Sequence, residues 1–142
     1  MTIAVAHNES AEGQAALVHA IKEAAFKKTN LLVLHILDDS DAVATDSEAA
    51  AIRTDIQARI GASGFADTQW ELRTAAGGHS TAGALLDLTI DAGAELLVLG
   101  SRRRSVIGRF LLGSMVQRVV LDSPVPVLVV KAPPDLTVAL RP

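Results

Sequence analysis

The chain has no cysteine in its 142 residues. Disulfides, a thiolate nucleophile and a cysteine-based zinc site are thereby excluded. Aromatic residues are almost as scarce, three Phe and one Trp, although 49% of the chain is apolar, so the interior has to be built from Ala, Val, Leu and Ile. Positive charge is not in excess: 13 Lys and Arg stand against 16 Asp and Glu, a formal net charge of −3. Binding nucleic acid through the whole surface would require a strongly positive balance, so nucleic acid is not an expected partner. There is no long apolar run, and the start, Met1-Thr2-Ile3, has no basic region. Neither a transmembrane helix nor a signal peptide is expected, and a cytoplasmic location is the default expectation, with no membrane partner. The four histidines show no metal-ligand spacing, no P-loop with its lysine is present, and there is neither an internal repeat nor a low-complexity tract.

What is present is a regular alternation of apolar runs and helical patterns. Its length suits one domain, expected over residues 1–132 with 133–142 as a C-terminal tail. Ile3-Ala4-Val5-Ala6 reads as a buried strand that opens into His7-Asn8-Glu9-Ser10. Ser10 suits a helix N-cap, and Leu17, Ile21 and Ala24 recur at helical spacing to about Lys28. Leu31 to Leu37 is apolar at both parities, the mark of a strand covered on both faces. Within it His35 reads as a hydrogen-bonded core residue rather than a catalyst, while His19 and His79 suit surface and turn positions. Asp38 to Asp46 reads as an irregular connection, with Asp38 and Asp39 as solubilising loop residues, followed by a helix in which Ile52, Ile56 and Ile60 repeat. Trp70 and Leu72 alternate with polar residues, as in an edge strand. Ser80 caps a helix carrying Leu85, Leu88 and Ala92, which Gly93 ends. Leu96 to Gly100 is a fourth strand. A last helix after Gly113 is expected to bury Val116, Val119 and Val120, and Val125 to Val130 forms a final strand at an edge, because Pro126 cannot donate to a ladder.

Five strands alternating with four helices predict a doubly wound, Rossmann-like α/β fold with a parallel sheet in the order 3-2-1-4-5. Such sheets bind ligands at the carboxyl ends of strands where the winding reverses, here between strands one and four. The stretch from Leu96 to Lys131 carries the chemistry suited to that place. A strand stops at Gly100, a basic loop follows with Arg102, Arg103, Arg104 and Arg109, and Gly113-Ser114 opens a helix. Backbone N–H groups and a helix N-terminus presented in this way suit an anion such as phosphate.

Three stretches resemble the universal stress protein family, and the likeness runs from Ile3 to Lys131. Asn8-Glu9-Ser10-Ala11-Glu12-Gly13-Gln14-Ala15-Ala16-Leu17 is similar to the family's D-G-S-x-E-G-x-A-A-L opening. Leu34-His35-Ile36 is similar to its L-H-V strand end, and Pro124 to Val130 to its closing strand. The family's nucleotide signature, G-x2-G-x9-G-[ST], falls on Gly100, Arg103, Gly113 and Ser114. The resemblance implies the adenine nucleotide alpha hydrolase-like variant of the fold and a homodimer paired through Val125–Val130. It also implies an adenine nucleotide as ligand, ATP or cyclic AMP, with or without Mg, in a stress-response or sensor protein with at most slow hydrolysis. Carried over residue by residue, it assigns Asn8 and Ile36 to the adenosine and Gly100, Arg103, Gly113 and Ser114 to the phosphates, with Ser10, Leu99 and Met115 as further nucleotide-binding residues. Two positions depart from the pattern. Asn8 replaces an aspartate, keeping a carbonyl acceptor but losing the charge, and His7 aligns there instead under a one-residue shift. Arg103 replaces a glycine and either pairs with phosphate or obstructs it. In the alternative reading the chain is a dimeric interaction protein with a vestigial phosphate site.

Overall fold

The computed structural model describes residues 1–37, 42–77, 80–101 and 113–132. Its elements follow in the order β1 (Thr2–Ala6), α1 (Ala11–Lys27), β2 (Asn30–Leu37), α2 (Ala42–Ala62), β3 (Trp70–Ala76), α3 (Thr81–Asp91), β4 (Leu96–Ser101), α4 (Ser114–Asp122) and β5 (Val127–Lys131). The strands form one parallel sheet in the order β3-β2-β1-β4-β5, which is the expected architecture.

Strand parity explains how two helix layers are held. Ile3 and Val5 of β1, Leu31 and Val33 of β2 and Val98 of β4 face α1 and α2, where they meet Leu17, Ile21, Ile52, Ile56 and Ile60. The alternate residues, Ala4, Ala6, Leu32, Leu34, Leu97 and Leu99, face α3 and α4 and meet Leu85, Leu86, Val116 and Val119. Because successive side chains on a strand point to opposite faces, a strand apolar at both parities can be covered on both sides. The isoleucines of α2 and the Leu17/Ile21 pair of α1 are the helical stripes that supply the cover.

Helix ends follow the residues expected of them. Ser10 and Ser80 accept hydrogen bonds from the N–H groups of Gly13 and Gly83, each at 3.0 Å. Gly93 takes φ +64°, a left-handed conformation that a side chain would strain, and turns α3 toward β4.

Several boundaries and one side chain differ from expectation. Helix α2 starts at Ala42, inside the stretch read as irregular up to Asp46. Ala-rich sequence propagates a helix across the polar residues. Val120 is 39% exposed instead of buried, because Val116 and Val119 already occupy the inner stripe of α4, and Leu121 is 80% exposed. Strand β5 begins at Val127; Pro126 lies just before it and contributes its carbonyl, which accepts from Leu97 N–H at 3.0 Å. Both β3 and β5 lie at sheet edges, as read from their patterns. The C-terminal tail, 133–142, lies outside the described residues.

Candidate functional site

The winding reverses between β1 and β4, which pair directly, Ile3 with Leu96 and Val5 with Val98. Crossovers to α1 and α2 leave one face and those to α3 and α4 the other, so the strand ends diverge at this point and leave a cleft. Two joined hollows occupy it. The larger, about 350 Å³, is walled by His7, Asn8, His35, Ile36, Glu48 and Met115 among others. The smaller, about 180 Å³, is walled by Asn8, Glu12, Gly100, Ser101, Gly113, Ser114, Met115 and Val116. Asn8 and Met115 border both and form the neck between them.

Asn8 is fixed by its neighbours. Its Oδ1 accepts from the backbone N–H of Ser10 at 3.0 Å and from the Ser10 hydroxyl. That hydroxyl in turn accepts from Gly13 N–H, so Ser10 closes the first turn of α1 while pinning Asn8. The carbonyl that the sequence reading leaves open to a ligand is thus engaged within the loop, and none of these bonds uses the amide nitrogen. A ligand at the neck would meet Asn8 as a donor.

Two glycines let the pieces of the cleft close up. A Cβ on Gly13 would lie 2.5 Å from the Asn8 carbonyl oxygen, and one on Gly100 would lie 2.5 Å from the carbonyl carbon of Glu12 and 3.0 Å from Gly13 N. Neither site has room for a side chain: Gly100 meets backbone atoms alone, and Gly13 meets the backbone and the side-chain amide of Asn8. Gly100 therefore brings β4 against the first turn of α1, a packing reason for a residue that the sequence suggests for phosphate approach.

At the smaller hollow the start of α4 is unlike those of α1 and α3. Gly113 is its N-cap, with φ −67° and ψ 161°, nearly the backbone of the Ser10 cap at −68° and 164°, yet among the described residues no side chain caps it. The N–H groups of the first turn, the positive end of the helix dipole, lie at the rim of the hollow. Arg118 of α4 donates from Nη1 to Ser80 Oγ at 2.8 Å, tying the start of α3 to α4.

Of the residues assigned from sequence, Asn8, Ile36, Gly100, Gly113, Ser114 and Met115 wall one or both hollows. Ser10 is engaged in capping, and Leu99 is 1% exposed with its side chain in the core below α3 and α4. Arg103 lies outside the described residues, as do Arg102, Arg104, Arg109, Asp38, Asp39 and His79. Among the other wall residues, His35, Glu48 and Glu12 carry chemistry that the sequence reading does not assign to the site, and His7 enters it only as the alternative to Asn8. His35 is hydrogen-bonded as expected, but at the half-buried end of β2 rather than inside the core, with His7 as its partner. His7 was read as part of a polar loop and is only 6% exposed. Its burial pushes its pKa down from 6.5 to about 4, with the neighbouring His35 acting in the same direction. A parity count, His7 following Val5 and His35 following Val33, would have put both imidazoles on one face. Nothing local marks Glu48, which reaches the cleft only because α2 packs across it.

Fold and cleft together define a doubly wound α/β protein with a ligand-sized hollow at its switch point. The sequence profile of the universal stress protein family matches residues 1–131. A universal stress protein of Mycolicibacterium smegmatis (strain ATCC 700084 / mc(2)155) is 36% identical over 129 residues, spanning 91% of this chain and 96% of that protein. The chain belongs to the universal stress protein family. Among solved structures, a universal stress protein from Archaeoglobus fulgidus superposes with a TM-score of 0.75 at 25% identity, covering 92% of this chain and 98% of that one. A universal stress protein in complex with cAMP superposes at 0.70, also at 25% identity, covering 94% and 98%.

Proposed function

We propose that the cleft binds an adenine nucleotide, ATP or cyclic AMP, and that the protein acts as a nucleotide sensor in a stress response rather than as a fast enzyme. The observation that carries this reading is the pair of joined hollows at the switch point, the smaller bordered by a helix start without a side-chain cap among the described residues. The cAMP complex of a similar protein supports it. The larger hollow takes the adenosine, with Ile36 beside the base and the Asn8 amide at the neck. The smaller takes phosphate on Gly100, Gly113, Ser114 and Met115. Among the described residues no group of three or more His, Asp or Glu is placed to hold a metal. Mg²⁺ enters this reading as the companion of the phosphates, and with no P-loop lysine in the sequence hydrolysis is at most slow.

A second copy of the chain is the proposed protein partner. Strand β5 stands at the sheet edge with Val127 to Val130 half-buried, and Val120 and Leu121 are exposed on the helix before it. Unpaired strand edges invite a partner strand. A light-scattering mass of a single chain refutes this assembly.

The alternative, a vestigial site, draws on two observations: the carbonyl of Asn8 is engaged by Ser10, and Glu12 borders the small hollow. Titration calorimetry with ATP and cyclic AMP at millimolar concentration separates the readings. Saturable binding of either supports the sensor; absence of both overturns it. Arg103→Gly then reports on the loop: weaker binding makes Arg103 a phosphate ligand, and stronger binding makes it an obstruction.

A further inference from the structure

Parallel register sets Ala6 of β1 opposite Leu34 of β2, so the next residues, His7 and His35, stand side by side on the face that carries Val5 and Val33. Their Nδ1 atoms are 3.0 Å apart, with ring centroids at 5.1 Å and planes inclined by 55°, a hydrogen bond rather than a stack. His35 turns Nε2 to Glu48 Oε1 at 3.4 Å, and the Glu48 side chain is 42% exposed on α2. The chain of groups thus leads from solvent through Glu48 and His35 to a buried His7. The Nε2 of His7 is buried and has no partner among the described residues.

A nitrogen–nitrogen separation of this length has room for one hydrogen. With Glu48 ionised, His35 donates from Nε2, presents a bare Nδ1 and accepts from His7 Nδ1–H, which leaves His7 Nε2 bare. A proton added to the pair either puts an unpartnered N–H on the buried Nε2 or sets two N–H groups against each other. Both costs vanish if His7 turns out to water. The other charged groups bearing on His7 are Asp55 and Arg59 of α2, which oppose each other's effect and are paired at 2.9 Å; Glu48 acts through His35, and Glu9 lies on the same cleft wall. These groups place α2 over the imidazoles. Farther along, α2 is held by Ile52, Ile56 and Ile60 and by the Trp70 indole N–H donating to Gln57 Oε1 at 2.9 Å. None of residues 46–51 enters the apolar core.

We propose that Glu48, His35 and His7 form an acid-released latch, which fastens the first half of α2 to the strand ends at neutral pH and so holds one wall of the larger hollow in place. Acid acts by linkage. The latched state keeps His7 neutral, and the released state lets it take up a proton at its ordinary pKa of 6.5 rather than about 4. Between pH 7.5 and 5.0 the opening equilibrium of α2 should rise roughly 25-fold. The latch does not depend on what the hollow binds.

Hydrogen exchange of the full chain tests it, with peptides from 42–62 compared with peptides from α1 and corrected for the chemical exchange rate at each pH. The expected result is a loss of protection in the first half of α2 of roughly 25-fold beyond any change in α1, with Trp70 emission unchanged over the same range because its bond to Gln57 stays in place. His7→Leu should abolish the difference. Equal changes in α1 and α2, or an unchanged pH dependence in His7→Leu, would overturn the proposal. Ring-nitrogen NMR of the wild-type protein needs no variant: His7 neutral at pH 5.5 is expected, and an ordinary titration near pH 6.5 refutes the latch.

Discussion

Replacing Gly100 by Ala separates two roles that one glycine can play. If the residue is a glycine only so that phosphate can come close, a methyl group should leave the unliganded protein as stable as before. The structure predicts otherwise, because the new Cβ would sit 2.5 Å from the carbonyl carbon of Glu12 and 3.0 Å from Gly13 N. Both are backbone atoms at the start of a capped helix and cannot swing aside as a side chain end can. Either β4 or α1 has to move, and overpacking of that kind costs typically 1–3 kcal/mol. The value here belongs at about 3 kcal/mol, since Gly13 is itself wedged against Asn8 and the strain has no free direction. Urea unfolding without nucleotide, followed by Trp70 fluorescence and circular dichroism, measures it. Gly61→Ala is the internal control: it lies in α2 with nothing within 4 Å of its Cβ position, and the change should stabilise by about 0.5–1 kcal/mol. A Gly100→Ala protein within about 0.5 kcal/mol of wild type would refute the packing account, because surface-like changes fall in that range.

Other consequences follow from single features. His7 is held near pKa 4 in the folded chain against 6.5 when unfolded, so the unfolded state binds more protons between those values and stability falls as pH drops from about 6.5 to 4. The loss should reach about 3 kcal/mol and be absent in His7→Leu, as measured by urea unfolding across that range. Ser10→Ala removes both the cap of α1 and the pin on Asn8, and should cost about 1 kcal/mol in thermal or urea unfolding. Gly113→Ser, on a backbone already shaped like that of the Ser10 cap, should gain a few tenths of a kcal/mol in stability while weakening any anion binding at the small hollow. Ile56, fully buried between α2 and the sheet, should cost about 2–5 kcal/mol on truncation to Ala, read as a fall in the urea midpoint.

Period and punctuation were enough to read the architecture from residues alone. Apolar runs at both parities required strands covered on two sides, Ser10, Ser80 and Gly93 marked helix ends, and alternation of strand and helix implied a doubly wound parallel sheet, whose order 3-2-1-4-5 the structure shows. The half of the cleft built on backbone, at Gly100 and Gly113, was legible because glycine and helix starts leave a local signature. The side-chain chemistry of the other half was not. His7 looked like a loop residue until β1 and β2 were set in register, and Glu48 carries no local mark, since only the packing of α2 across the strand ends brings it to His35. Asn8 was read as a nucleotide contact and borders both hollows, but the engagement of its carbonyl follows from a turn closed by Ser10. Local sequence thus determined which elements form and where the chain reverses, because those depend on periodicities of 2 and 3.6 residues. Which side chains meet depended on parallel register and on helix placement, which are set by burying two apolar layers at once and are not a property of any one segment.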